Sequence, residues 1–387
     1  VVNVRFEFAT ATRIIFGPGT LGEVGPIAAA LGDRALLVTG RSKERVKPLV
    51  RILEPQGIAL EIFAVGGEPT VTMVQEAAEL AKRQRCGFVV GFGGGSTLDT
   101  AKAAAALITN GGELLDYLEV IGQGKPITRP SAPLIAIPTT AGSGAEVTAN
   151  AVLASPKHRV KVSLRSPLML SRLALVDPAL TFPLPPSITA TTGLDALTQL
   201  IEPFVSNKAN PFTDGLCREG MRRAARSLRD ACEHGDDMAA REDMACASLF
   251  GGLALANGKL GAVHGFAAPF GGMFPGPHGG ICARLLPYVM SMNARVLKRR
   301  ESDNPAFHRY DEIAKILTGR SRARAEDGIM WVRELCDDLK VPPLAAWGLQ
   351  KEDFPLLIRK ASAASSMQGN PVRLTPEEME EILTHAM

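Results

Sequence analysis

At 387 residues, with 46% hydrophobic and 21% charged side chains, the chain carries enough apolar surface for more than one core, which excludes an intrinsically disordered protein and favours two domains. Its 43 basic and 40 acidic residues leave a net charge of +3, and only 5% of the chain is aromatic, so it lacks both the basic patch and the stacking platform of a nucleic-acid binder. The six cysteines (Cys86, Cys217, Cys232, Cys246, Cys282 and Cys336) make no CxxC pair, which argues against a zinc knuckle and fits a reducing compartment.

Taken in chain order, residues 5–10 and 13–16 look like short strands of a hairpin, and residues 17–20 turn into a helix that stops at Gly32. Residues 35–39, ALLVT, form the continuous apolar run of a strand buried on both faces of a parallel sheet. A helix over 44–53, a strand over 59–65 and a helix over 71–85 follow, the last with Val74, Ala77, Ala78 and Ala81 on one face. Buried strands are expected at 88–91 and 134–137, with a helix over 98–108 between them, and extended segments at 147–153, 160–164 and 173–176. This alternation predicts an α/β domain on a doubly wound, mostly parallel sheet. Four prolines between 177 and 186 end the pattern, and beyond them helical periodicity dominates, as in 187–205, 214–232 and 237–257. The expected division is an α/β dinucleotide-binding domain over residues 1–182 and an all-helical, metal- and substrate-binding domain over 183–387. No signal-like start and no apolar stretch of membrane-spanning length is visible, so a soluble cytoplasmic protein is expected.

Gly91-Phe92-Gly93-Gly94-Gly95-Ser96-Thr97-Leu98-Asp99 joins a buried strand to a helix. Consecutive glycines present bare backbone amides, and a helix N-terminus adds partial positive charge, so the turn suits a pyrophosphate. It is not the GxGxxG fingerprint. A second small-residue loop, Pro138-Thr139-Thr140-Ala141-Gly142-Ser143-Gly144, follows another strand end, where ligands of open α/β sheets bind. After residues 35–39, an acidic side chain would hold ribose hydroxyls; instead Gly40, Arg41, Ser42 and Lys43 stand there, which favours NADP over NAD.

In the second half, Asp195 and Gln199 lie four apart on one helix face, and His264 and His278 each precede a glycine. One carboxylate and two imidazoles can hold Fe(II) or Zn(II) with positions left open. Phe250, Leu253, Phe266 and Phe274 are candidates for an apolar pocket lining.

Together these stretches resemble the iron-containing, group III alcohol dehydrogenase family. The resemblance rests on Gly93-Gly94-Gly95-Ser96 with Asp99 and Lys102, on residues 138–148, on Asp177-Pro178, on Gly193-Leu194-Asp195-Ala196-Leu197, and on His264-Gly265 through Pro277-His278-Gly279. It implies a dehydroquinate synthase-like fold, a small alcohol, aldehyde or ketone as substrate, and a homodimer. It implies cofactor contacts from Gly94, Gly95, Ser96, Thr139, Thr140 and Lys161, and catalysis at a metal held by Asp195, residue 199, His264 and His278. Two positions depart from the family pattern: Gln199 stands where histidine is usual, and Ala268 replaces a second histidine four residues after His264. A maleylacetate-reductase-like activity, with Arg165, Arg172 or Arg284 facing a dicarboxylate, and a nucleotide-binding protein without catalysis are the alternatives.

Overall fold

A computed structural model of the protein describes residues 5–158 and 160–387. The chain divides into two compact units, Ala9–Pro183 and Leu184–Met387, the latter joined by the described residues before Ala9. The first unit runs through β1 (Ile14–Phe16), α1 (Val24–Ala29), β2 (Arg34–Gly40), α2 (Lys43–Leu53), β3 (Ala59–Val65), α3 (Val71–Arg83), β4 (Phe88–Gly93) and α4 (Gly95–Asn110). It continues with α5 (Leu114–Tyr117), β5 (Leu134–Pro138), β6 (Asn150–Ser155), β7 (Val160–Arg165) and β8 (Leu173–Val176).

Six strands form one sheet in the order β1-β8-β5-β4-β2-β3, and every pairing is parallel. The period-2 alternation of a strand explains why β2 is apolar from Ala35 to Val38, on both faces. Leu36 and Val38 face a layer containing Val74, Ala77 and Ala78 of α3 and Ala103 and Ala106 of α4. Ala35 and Leu37 face the opposite layer, with Val24 and Ala28 of α1 and Leu49 and Leu53 of α2. The sheet is therefore doubly wound. Its direction of growth reverses between β2 and β4, so Gly40 and Gly93 end neighbouring strands at the switch point, where such sheets bind ligands.

Residues 5–10 do not form the first arm of a hairpin. They carry no regular structure; Phe6 and Phe8 pack on Phe212, and β1 instead extends the sheet edge in parallel with β8. The extended segments near 150 and 162 do pair, as the antiparallel hairpin β6–β7, whose Ala151, Leu153, Val162 and Leu164 join the layer on α4.

Lys102 of α4 is buried among polar partners. Its Nζ lies 3.0 Å from Asp99 Oδ1 and donates to Thr148 Oγ1 at 2.8 Å and to the Asn150 carbonyl. Asp99 Oδ2 accepts the Val152 N–H at 2.9 Å, which ties the hairpin to α4. Nearby Glu146 is buried as well.

The second unit comprises α6 (Pro186–Val205), α7 (Pro211–Glu233), α8 (Met238–Asn257), α9 (Ala262–Met273), α10 (His278–Arg300), α11 (Pro305–Thr318), α12 (Ala325–Asp338), α13 (Phe354–Ala363) and α14 (Pro376–Ala386). Helix α6 is buried along most of its length and packs on α7, α8 and α10. Asn210 starts α7 by accepting the Phe212 and Thr213 amides ahead of a proline at the first helical position. Among the described residues no single helix is long and apolar enough to cross a membrane, and all six cysteines are buried and unpaired.

Burial pushes the Glu146 carboxyl up from 4.5 to about 7, against the lowering pull of Lys102. A raised carboxyl pKa means that the folded state holds the proton more tightly than the unfolded chain. Its contribution to stability is thus complete below pH 4.5 and lost as pH rises toward 7. Glu146→Gln removes this dependence, and its stability relative to the parent is expected to grow to about 3 kcal/mol above pH 7 in denaturant titrations across that range.

Candidate active site

The second unit brings four donor side chains to one place. Asp195 projects from the middle of α6, His264 from the first turn of α9, and His278 and Cys282 from the first two turns of α10. One ligand-type atom from each lies within 4.8 Å of all the others. Asp195 Oδ1 is 3.4 Å from His264 Nε2 and 3.9 Å from His278 Nε2, and Cys282 Sγ is 3.7 Å from His278 Nε2.

Local sequence explains how these groups meet. On α6, Asp195, Gln199 and Glu202 follow the i, i+4, i+7 spacing of one helix face, and all three are buried. Glu202 reaches α9: Oε1 accepts the Val263 N–H at 2.7 Å, and Oε2 lies 2.6 Å from His264 Nδ1. Asn370 Oδ1 accepts the adjacent Ala262 N–H at 3.2 Å. The N-terminus of α9, which Gly261 cannot cap, is thus satisfied by two side chains from distant segments. With Nδ1–H of His264 donated to Glu202, Nε2 is the ring nitrogen turned toward the cluster, 3.4 Å from Asp195 Oδ1. Helix α10 approaches α6 at Gly279, where an added Cβ would stand 2.3 Å from the Thr191 carbonyl oxygen.

The electrostatics follow from burial and crowding. Burial pulls both imidazoles down, but the Cys282 sulfur and the surrounding carboxylates outweigh it, leaving His278 raised and His264 raised well above its ordinary value. Burial also works to raise Asp195, and the adjacent His264 and His278 overcome it, so its carboxyl is lowered.

The donor set fits a divalent ion. Asp195 Oδ1 is buried with no hydrogen-bond partner among the described residues, and so is Gln199 Oε1. Donors sharing one tetrahedral ion at about 2.0–2.3 Å stand roughly 3.3–3.8 Å apart, close to the separations above. The Gln199 side chain lies against α8, its Oε1 3.6 Å from where a Cβ on Gly251 would be. Ala268 sits on α9 and offers no proton-carrying group. Phe266 and Leu253 are core residues, whereas Phe250 and Phe274 are partly exposed.

In the first unit, α4 begins immediately beyond β4, and Gly94, Gly95 and Ser96 at its start remain partly accessible. No side chain caps this helix, so its first amides face outward unpaired by a cap. Thr139 donates its N–H to the Gly93 carbonyl at 2.9 Å, and Thr140 packs against Gly94, where a Cβ would fall 3.3 Å from its hydroxyl. Asp99 is committed to Lys102 and Val152, and Lys161 pairs with Glu68 at 2.9 Å. Beyond β2, Gly40, Arg41 and the exposed Ser42 lead into α2, and a cavity of about 740 Å³ there is lined by Thr39, Gly40, Arg41, Lys43, Lys47 and Arg51 among others. Arg284, considered as a substrate cation, donates Nε to the Ala386 carbonyl at 3.0 Å and lies over Tyr288, while Arg165 faces Glu119 at 4.0 Å.

Sequence reading overlooked Glu202 and Cys282. Both were signalled by spacing alone: a glutamate seven residues after Asp195 on the same face of a mostly buried helix, and a cysteine four after His278.

Similarity to known proteins shows this chain, a doubly wound parallel sheet followed by a helical unit with a His/Asp/Cys donor cluster, to be an oxidoreductase of the alcohol dehydrogenase class. Residues 11–178 match the family model described as iron-containing alcohol dehydrogenase, and residues 189–387 match its C-terminal domain. The chain belongs to the iron-containing alcohol dehydrogenase family. It is 33% identical to 1,3-propanediol dehydrogenase of Klebsiella pneumoniae over 98% of both chains, and 34% identical to choline dehydrogenase of Bacillus subtilis (strain 168) over 94% of this chain and 90% of the relative. The fold superposes on a crystal structure of 1,3-propanediol oxidoreductase with a TM-score of 0.92 at 32% identity, covering 99% of this chain and 100% of the other. Sulfoacetaldehyde reductase from Bifidobacterium kashiwanohense, solved in complex with NAD+, gives a TM-score of 0.87 at 29% identity over 99% of each chain.

Removing the partner that orients a metal-binding imidazole weakens metal binding by about 10–100-fold. Glu202→Gln is expected to lower Zn(II) affinity within that range while leaving the helical circular dichroism unchanged, as read by competition with a chromogenic chelator.

Proposed function

We propose that the protein interconverts a small alcohol and its aldehyde or ketone with NADP(H), at a divalent ion held by Asp195, His264 and His278. In this reading residues 9–183 bind the dinucleotide and residues 184–387 bind ion and substrate. The observation that carries it is the buried, partnerless Asp195 Oδ1 facing two imidazole Nε2 atoms. When bound, the ion supplies Lewis-acid polarisation of a carbonyl oxygen, and the nicotinamide supplies the hydride.

The chain's own residues do the rest. Glu202 holds His264 in the tautomer whose Nε2 is free to bind, and the close seating of Gly279 fixes the first turn of α10 that carries His278. The amides of Gly94, Gly95 and Ser96 receive the pyrophosphate at the positive end of α4, with Thr139 and Thr140 beside them. Asp99 anchors the hairpin that carries Lys161, which reaches the cofactor from that side. With Ala268 in place of an ionisable side chain, the product oxygen takes its proton from water or from a substrate group.

NADP is favoured over NAD because β2 ends in Gly40 rather than a carboxylate and four cations line the cavity beyond it. Gly40→Asp would repel a 2′-phosphate and accept ribose hydroxyls, so the KM for NADPH is expected to rise about tenfold or more, equivalent to about 1.4 kcal/mol, while that for NADH falls. The activity itself is tested by following nicotinamide absorbance with NADPH or NADH and a panel of small aldehydes and ketones. Turnover is expected to disappear after chelator treatment and to return with Zn(II) or Fe(II). No turnover with any combination of substrate, cofactor and ion would overturn the reading.

A further inference from the structure

We propose that Cys282 Sγ is the fourth protein ligand of the ion, in place of the neutral amide of Gln199. The inference rests on the reading above that Asp195, His264 and His278 hold a divalent ion, and it goes beyond it by naming the donor that completes the set. Three observations carry it. Cys282 is fully buried, and its Sγ belongs to the group of four donor atoms that lie within 4.8 Å of one another. It stands 3.7 Å from His278 Nε2, the separation expected of two donors on one ion, because residues 278 and 282 are one helical turn apart on α10. The cluster also contains the Asp195 carboxylate, 5% exposed, whose Oδ1 has no hydrogen-bond partner among the described residues.

Sulfur chemistry decides between the two candidates for the fourth place. A thiolate is a charged, soft donor that binds Zn(II) strongly, whereas an amide oxygen is neutral and hard. Binding forms one Sγ–metal bond and expels the thiol proton to solvent, with no change in oxidation state. Cys336, by contrast, donates its Sγ–H to the Ala283 carbonyl at 3.3 Å and stands apart from the cluster. A sulfur ligand also biases the centre toward Zn(II) over Fe(II).

The test uses the full chain loaded with Zn(II) and examined by X-ray absorption at the zinc edge. One sulfur at about 2.3 Å is expected, with nitrogen and oxygen donors at about 2.0–2.1 Å. The Co(II)-loaded protein is expected to show a thiolate-to-metal charge-transfer band in the near ultraviolet. Cys282→Ser should abolish both signatures; Gln199→Ala and Cys336→Ser should keep both. Stoichiometric zinc bound by nitrogen and oxygen alone would overturn the sulfur assignment and leave the proposed ion site standing. Failure to bind zinc, iron or cobalt at all would overturn both. Should Cys282→Ser not fold, the sulfur shell of the unsubstituted protein, kept in Cys336→Ser, decides the question alone.

Discussion

The helical unit depends on how it accommodates one buried carboxylate. Placing an ionised Asp195 among apolar helices costs several kcal/mol unless opposite charge or hydrogen bonds compensate. The compensation comes from two imidazoles delivered by the first turns of α9 and α10, so the positions of those turns are what the unit must hold constant. Glu202 and Asn370 do this for α9 by taking the place of a local N-cap. Close backbone packing at Gly279 does it for α10. One glutamate therefore ends a helix, orients a ring and lies on the same face as the carboxylate the ring serves.

The sheet-containing unit solves the opposite problem. Its sheet is apolar on both faces, so polar chemistry is confined to the strand ends. The parallel order, reversing between β2 and β4, puts Gly40 and the start of α4 at the ends of adjacent strands. Small residues there leave backbone amides open, while Lys102, one of the ionisable groups the unit does bury, is surrounded by Asp99, Thr148 and the Asn150 carbonyl.

Much of this was legible in the sequence because it is periodic or local. The apolar runs of β2, β4 and β5 read as two-face-buried strands, the glycines before α4 as a strand-to-helix turn, and Asp195 with Gln199 as one helix face. What escaped depends on contacts distant in sequence. The segment before β1 has strand-like residues, but whether it pairs is decided by which edge is open, and β8 offers that edge to β1 alone. Glu202 and Cys282 looked like one more polar residue on a helix and one more buried thiol. Their meaning comes from helices 62 residues away in one case and from the fold of α10 onto α6 in the other. Asp99, part of the motif that carries the resemblance, also accepts the Val152 N–H and so holds the β6–β7 hairpin to α4, a role set by contacts distant in sequence.

The meeting of α10 and α6 at Gly279 has an evolutionary consequence. Main chain rests on main chain there, so the approach of the first turn of α10 to α6 is fixed chiefly by the absence of a side chain at 279. A site framed in that way can exchange one donor for another without moving its remaining members. A lineage could then drift from one ion preference to another by single substitutions on a rigid frame, with no stage at which the unit must refold.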